Sequence, residues 1–157
     1  PQSADACGLL MKRLGQHYVQ YVNRVHGRTG TLWEGRYRSC LAASGRYVLA
    51  CYRYIELNPV RACIASEPHE YRLSSYRANA EGEGGSLLAP HPAYLALAEG
   101  DGPRRIQYRG LFDAALDSHL VDEIRRATRN GRVLGEARTP RGRPSAKIGT
   151  DPIFSLS

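Results

Sequence analysis

The sequence lacks any apolar run approaching the roughly 18 residues that a membrane-spanning helix requires. Its opening stretch, PQSADACGLL, also lacks the basic start of a secretory signal. These absences lead to the expectation of a soluble cytoplasmic protein with no membrane partner. No Cys-x-x-Cys pair occurs: Cys7, Cys40, Cys51 and Cys63 are spaced too widely for that type of zinc arrangement. With no secretory context to favour disulfides, they are expected to be buried or semi-buried free thiols. The single methionine, Met11, lies inside a chain that starts at Pro1. The chain is therefore expected to be a fragment or to begin further upstream.

What is present is enough apolar material for a core and a marked excess of positive charge. A hydrophobic content of 42% in 157 residues argues against wholesale disorder. The net charge of +7 points to an anionic partner, a nucleic acid or an acidic membrane surface, without choosing between them. Residues 1–80 hold eleven basic residues against five acids, and Trp33, Tyr37, Tyr47, Tyr52 and Tyr54 are interleaved with the arginines. Guanidinium groups follow phosphates and aromatic rings stack on unpaired bases, so this mixture suits a single-stranded nucleic acid. Residues 81–123 are acidic, and basic residues dominate again from Arg125 to Lys147.

Local signals divide the chain into segments. Leu10, Leu14, Tyr18, Tyr21, Val22 and Val25 recur at helical spacing, with Ser3 as the cap and Gly27 as the stop. The glycine-punctuated stretch around WEGRYRSCLAA predicts a strand over residues 31–43. Ser44 is placed to cap a helix, GRYVLACYRYIEL, which Pro59 brings to an end near Asn58. A compact SSYRANA segment and a Gly/Glu-rich linker from Glu81 to Ser86 follow. HPAYLALAEG and DSHLVDEIRRATRNG read as helices, the latter capped by Asp117 or Ser118 and stopped by Gly131. The layout is therefore residues 1–80, an acidic linker and helical extension at 81–130, and a basic tail at 131–157.

Tyr54 and Asn58 are four residues apart on the second helix, so a phenol and an amide oxygen share one face, with Tyr47 and Cys51 upstream and Arg53 and Arg61 flanking. A phenol with a reference pKa of about 10 is a weak nucleophile at neutral pH. Attack on a phosphodiester would require a metal ion or neighbouring cations. Asn58 can offer such a metal one oxygen, which alone is not a site. The bland alternatives are a packing tyrosine and an Asn-Pro helix stop.

The segment YIELNPVRA at residues 54–62, preceded by RTGTLWEGRYRS at 28–39, resembles the REP-associated branch of the HUH single-tyrosine transposases. The likeness runs from about Ser3 to Asn79, with SSYRANA at 74–80 resembling the end of that family's domain. The resemblance implies an α+β fold, here an incomplete ferredoxin-like nuclease domain (helix, strand, tyrosine helix) with a helical C-terminal extension. It implies that Tyr54 forms a covalent 5′-phosphotyrosine link to single-stranded or hairpin DNA. It further implies that Asn58 completes the coordination of a divalent metal, magnesium or manganese, while Arg28, Arg36, Arg38, Arg53 and Arg61 contact DNA.

The family's two other metal ligands form a His-x-His pair, and none of His17, His26, His69, His91 or His119 matches it. The resemblance thus implies a transposase fragment, inactive alone, or a DNA-binding remnant without catalysis. Because some relatives build each site from two subunits, a homodimer or a partner supplying the histidines is a further expectation. The tail's GRP at 142–144 is a three-residue match to minor-groove hooks, outweighed by a solvated tail.

Overall fold

The computed structural model describes residues 6–84 and 86–135. In chain order these form α1 (Ala6–His26), α2 (Gly45–Glu56), α3 (Asn58–Arg61), a 3₁₀ turn at Pro68–Glu70 and a π-helical turn at Arg77–Glu81. Then come α4 (Pro92–Leu95), α5 (Asp101–Gly110) and α6 (Ser118–Asn130). Among the described residues there is no strand element, only one isolated parallel bridge between Ala42 and Leu134. The α+β, ferredoxin-like expectation is therefore overturned, because the described residues hold no sheet for the helices to cover.

The strand expected over residues 31–43 fails for lack of a ladder, since a lone extended segment leaves its backbone groups unpaired. Only its end is paired: Leu134 N donates to Leu41 O at 2.7 Å, and Ala43 N donates to Leu134 O at 2.9 Å. Upstream the chain hooks back along α1, reversing at Gly27 and Gly30, both at positive φ (59° and 91°), where glycine carries no Cβ penalty. Asn23 Nδ2 donates to Gly30 O at 2.9 Å, and the Trp33 ring lies 6.4 Å from that of Tyr18. A Cβ at Gly15 would sit 3.3 Å from Trp33 Nε1, so that glycine admits the indole.

The core is organised by α2, which is apolar on two sides. Leu49 and Tyr52 pack toward a cluster built on Ala80, Tyr94 and Tyr108, from the π turn, α4 and α5. Tyr47, Cys51 and Tyr54 pack toward a second cluster built on Ile124, Ala127 and Leu134, from α6 and the residues after it. These two sets repeat at three- and four-residue intervals, the period at which helical side chains line up. Ser44 holds the N-cap position with extended backbone, and its carbonyl accepts from Tyr47 N and Val48 N, without a side-chain cap. Asp117 does cap α6 through Oδ1, which accepts from His119 N at 3.0 Å, and Gly131 ends that helix in the left-handed conformation.

Contacts cross the Glu81–Ser86 stretch. Arg109 Nη1 donates to Ala80 O at 2.5 Å and Tyr94 Oη donates to Asn79 O at 2.7 Å. Residues 136–157, which include most of the basic tail and the GRP sequence, lie outside the described residues.

Gly135 offers a test of how the second cluster is closed. Its φ is +89°, and a Cβ there would fall 2.1 Å from Tyr47 Cε2. At Gly131, also at positive φ, a Cβ would meet nothing within 4 Å. Gly135→Ala is expected to cost about 3 kcal/mol and Gly131→Ala about 1 kcal/mol, the difference being the displacement of Tyr47. Urea denaturation of both variants measures it.

Candidate nucleic-acid interface around the Tyr54 helix

The arginines that look alike in sequence have different surroundings. Arg28 and Arg36 are exposed on the hook beside α1. Arg38, also exposed, donates through Nη1 to Arg129 O in the last turn of α6, where a cation complements the helix dipole. Arg53 is drawn inward: Nη2 donates to Ala114 O at 2.5 Å and its guanidinium lies 5.9 Å from the Phe112 ring centroid. Arg53 Nε is buried without a partner, and burial lowers the pKa of this guanidinium from its ordinary value. Arg53 therefore ties α2 to the segment after α5. Arg61 is exposed, with its guanidinium 5.0 Å over the Tyr54 ring.

Tyr54 is half-buried against the Ile124–Ala127–Leu134 cluster, and Asn58 is exposed. Between them α2 ends at Glu56 and α3 starts at Asn58, with Pro59 in its first turn, where a missing N–H costs no helical hydrogen bond. Leu57 keeps right-handed backbone angles (φ −85°, ψ −7°), and Arg61 N donates to Leu57 O at 3.0 Å, so the chain continues turning through the motif. Tyr54 and Arg61 are thus brought together, while Arg53 contributes its guanidinium on the Phe112 side.

A divalent metal requires several oxygen or nitrogen ligands converging on one point. Among the described residues no group of three or more His, Cys, Asp or Glu side chains converges in that way. Asn58 stands as a lone amide, so the described residues do not compose the metal site that the resemblance implies. Cys51, one turn before Ile55, is no substitute nucleophile: burial first, then the nearby Cys40, pushes its thiol up to about 11, leaving it protonated at neutral pH.

Glu56 is the residue of this motif whose role the sequence did not disclose. It is fully buried and accepts hydrogen bonds from three side chains. Ser75 Oγ and Asn79 Nδ2 donate to Oε1 at 2.6 and 2.9 Å, and Tyr108 Oη donates to Oε2 at 2.7 Å. The motifs at residues 54–62 and 74–80 therefore meet through one carboxyl, with α5 as the third party. Burial raises the Glu56 pKa, partly offset by the bonds from Ser75, Tyr108 and Asn79. Burial first, then the charge on Glu56, raises the pKa of Tyr108, which keeps its proton and remains a donor. The sequence signal available was a single acid in an otherwise acid-free helix, at four-residue spacing from Tyr52.

Comparison of the chain with protein-family models, with curated proteins and with solved structures found no match.

Two substitutions separate the packing and titration roles of Glu56. Glu56→Ala strands three donors, of which Asn79 and Tyr108 are buried, and is expected to cost about 3 kcal/mol, whereas Glu56→Gln retains an acceptor and costs about 1 kcal/mol or less near neutral pH. A folded-state pKa above the unfolded one means that the folded protein binds the proton more tightly. The Glu56 contribution is then fully present below the unfolded pKa and is lost as pH rises through the folded pKa. Wild-type stability should accordingly fall, relative to Glu56→Gln, as pH rises out of the ordinary glutamate range. Parallel or opposite pH profiles in urea denaturation would remove the titration role.

Proposed function

We propose that this chain binds single-stranded or hairpin DNA as the C-terminal portion of a single-tyrosine transposase, with Tyr54 the nucleophile of the complete enzyme. The observation that carries the reading is the pairing of Tyr54 with Arg61 at the α2–α3 junction, where a guanidinium covers the phenol ring and Asn58 follows one turn on. A phosphate drawn to Arg61 would approach the only tyrosine of the YIELNPVRA motif. Arg28 and Arg36 on the hook, Arg38 at the end of α6, and Trp33 and Tyr37 between them add cations and stacking surfaces suited to unpaired bases. Such a protein would act on DNA in the cytoplasm.

In the complete enzyme the Tyr54 oxygen would attack phosphorus and the bond to the 3′ oxygen would break. The 5′ phosphate would remain on the phenol, and the phenolic proton would end on the departing 3′ oxygen. The phosphotyrosine ester keeps the energy of the cleaved diester, so rejoining requires no nucleotide. The His-x-His pair that the resemblance implies does not occur in this sequence, which favours, for the chain by itself, binding without cleavage. A different subunit that carries the His-x-His pair, in a mixed dimer, would restore the reaction.

Fluorescence anisotropy with labelled hairpin DNA, together with denaturing electrophoresis for covalent adducts, checks both halves of the reading. The chain is expected to bind DNA hairpins more tightly than matched RNA hairpins. Arg28→Ala and Arg36→Ala should each lower the salt dependence of log K by about one phosphate contact. Arg53→Ala should chiefly lower stability. With manganese, only a form extended upstream through a His-x-His strand should become linked to DNA, and Tyr54→Phe in that form should abolish the link. An extended form that binds but never links would leave a DNA-binding remnant; failure of any form to bind would remove the DNA reading altogether.

A further inference from the structure

On the Tyr52 side of α2 a pocket of about 330 Å³ opens between α2, the π turn, α4 and α5. Its volume lies at the lower end of the roughly 300–1,000 Å³ that small-molecule sites occupy. Ile55, Ala78, Leu88 and Pro90 give it apolar walls. All of the walls come from residues 52–105, across which Glu56 holds α2 to the π turn. The pocket shares no residue with the proposed DNA contacts at Arg28, Arg36, Arg38, Arg61 and Tyr54.

Arg105 is set into this pocket by a close approach to backbone. Gly82 sits at φ +78°, and a Cβ there would fall 2.2 Å from Arg105 Cζ, 2.4 Å from Nη2 and 2.6 Å from Nη1. The face of the guanidinium therefore rests on the glycine, and only a residue without a side chain admits it there. Arg105 is half-buried, yet among the described residues it makes no hydrogen bond or ion pair. Its neighbours differ: Arg104 donates to Asp101 Oδ1 at 2.6 Å and Arg109 to Ala80 O at 2.5 Å.

The other polar side chains that line the pocket already hold partners. Ser75 and Asn79 donate to Glu56, Tyr94 donates to Asn79 O, and Tyr52 accepts from the backbone N–H of His91. Asp101, the single acid, is 75% exposed and bonded to Arg104. A nucleobase would bring several donors and acceptors to walls whose side chains are committed. A pure hydrocarbon would shield Arg105 from water and offer it nothing in return. A planar anion with two oxygens matches the guanidinium edge, and an apolar body matches the rest.

We infer that this pocket binds a small monocarboxylate, its carboxylate on the Arg105 fork and its hydrocarbon or aryl body between Ile55, Leu88 and Pro90. The site stands apart from the DNA reading and does not rest on it.

The isotope-labelled full chain, titrated with phenylbutyrate, phenylbutyramide and phenylbutylamine and followed by NMR, tests this. Phenylbutyrate is expected to shift the Ile55 and Leu88 methyl signals saturably, with a Kd on the order of a millimolar. The amide, with the same body and no charge, should bind about tenfold more weakly. Arg105→Gln should bring phenylbutyrate down to the level of the amide and leave the amide unchanged. Ala89→Trp, at an exposed position on the wall, should exclude both while keeping the far-UV circular dichroism of the parent. Equal binding of carboxylate and amide, or phenylbutyrate binding undiminished in Arg105→Gln, would overturn the inference. So would tighter binding of the amine, or saturation at the Trp33 indole with the Ile55 methyl unmoved, or no saturable shift at all.

Discussion

A buried carboxyl surrounded only by donors is the constraint on which the rest of this structure depends. Glu56 ends α2 where the π turn and α5 converge on it; Asn79 of the π turn, Ser75 just before it and Tyr108 of α5 are its partners. In a medium of low polarity a charge or a polar group is tolerated only when its bonds are complete, so the three elements cannot drift apart separately. The tyrosine pair Tyr94 and Tyr108, whose ring centroids are 5.3 Å apart, is locked at both hydroxyls, one by Asn79 O and the other by Glu56. Apolar packing supplies contact area around this point; the acid determines which surfaces meet.

Because Glu56 faces one cluster and Tyr54 the other, α2 serves as a partition between them. On the Tyr54 side the helix leans on α6, and the groups that remain accessible are Arg61 and Asn58, at the start of a new turn. On the opposite side Arg53 is committed to Ala114 and Phe112. A helix held on two sides presents its remaining groups in fixed directions, which is what a binding or reactive surface requires.

Elements marked by local chemistry were legible in the sequence. Gly27, the Asp117 cap and Gly131 delimit α1 and α6 through bonds and backbone angles that involve only neighbouring residues. The stretch 31–43 was not legible, since β propensity expresses itself only beside a pairing strand, and here the aromatic residues found α1 instead. α5 was hidden because DGPRRIQYRG carries little apolar periodicity beyond Ile106 and Tyr108. The pairing of Glu56 with Tyr108 joins residues far apart in the chain, and nothing local announces it. For the same reason Arg53 and Arg28 were indistinguishable until the surroundings of each were known.

The bridge between Leu41–Ala43 and Leu134 has a consequence for the order in which this molecule can assemble. Its hydrogen bonds join the stretch before α2 to Leu134, and the Arg38–Arg129 contact joins it to the last turn of α6. During synthesis, the Tyr54 side of α2 stays open to water until α6 has left the ribosome, although the Glu56 side can close once α5 has emerged. Closure of so long a loop is entropically slow. Over that interval the nascent chain presents Tyr47, Cys51 and Tyr54 together as a surface for chaperones, so a translational pause before α6 would lengthen the exposure of the very face that later carries the tyrosine.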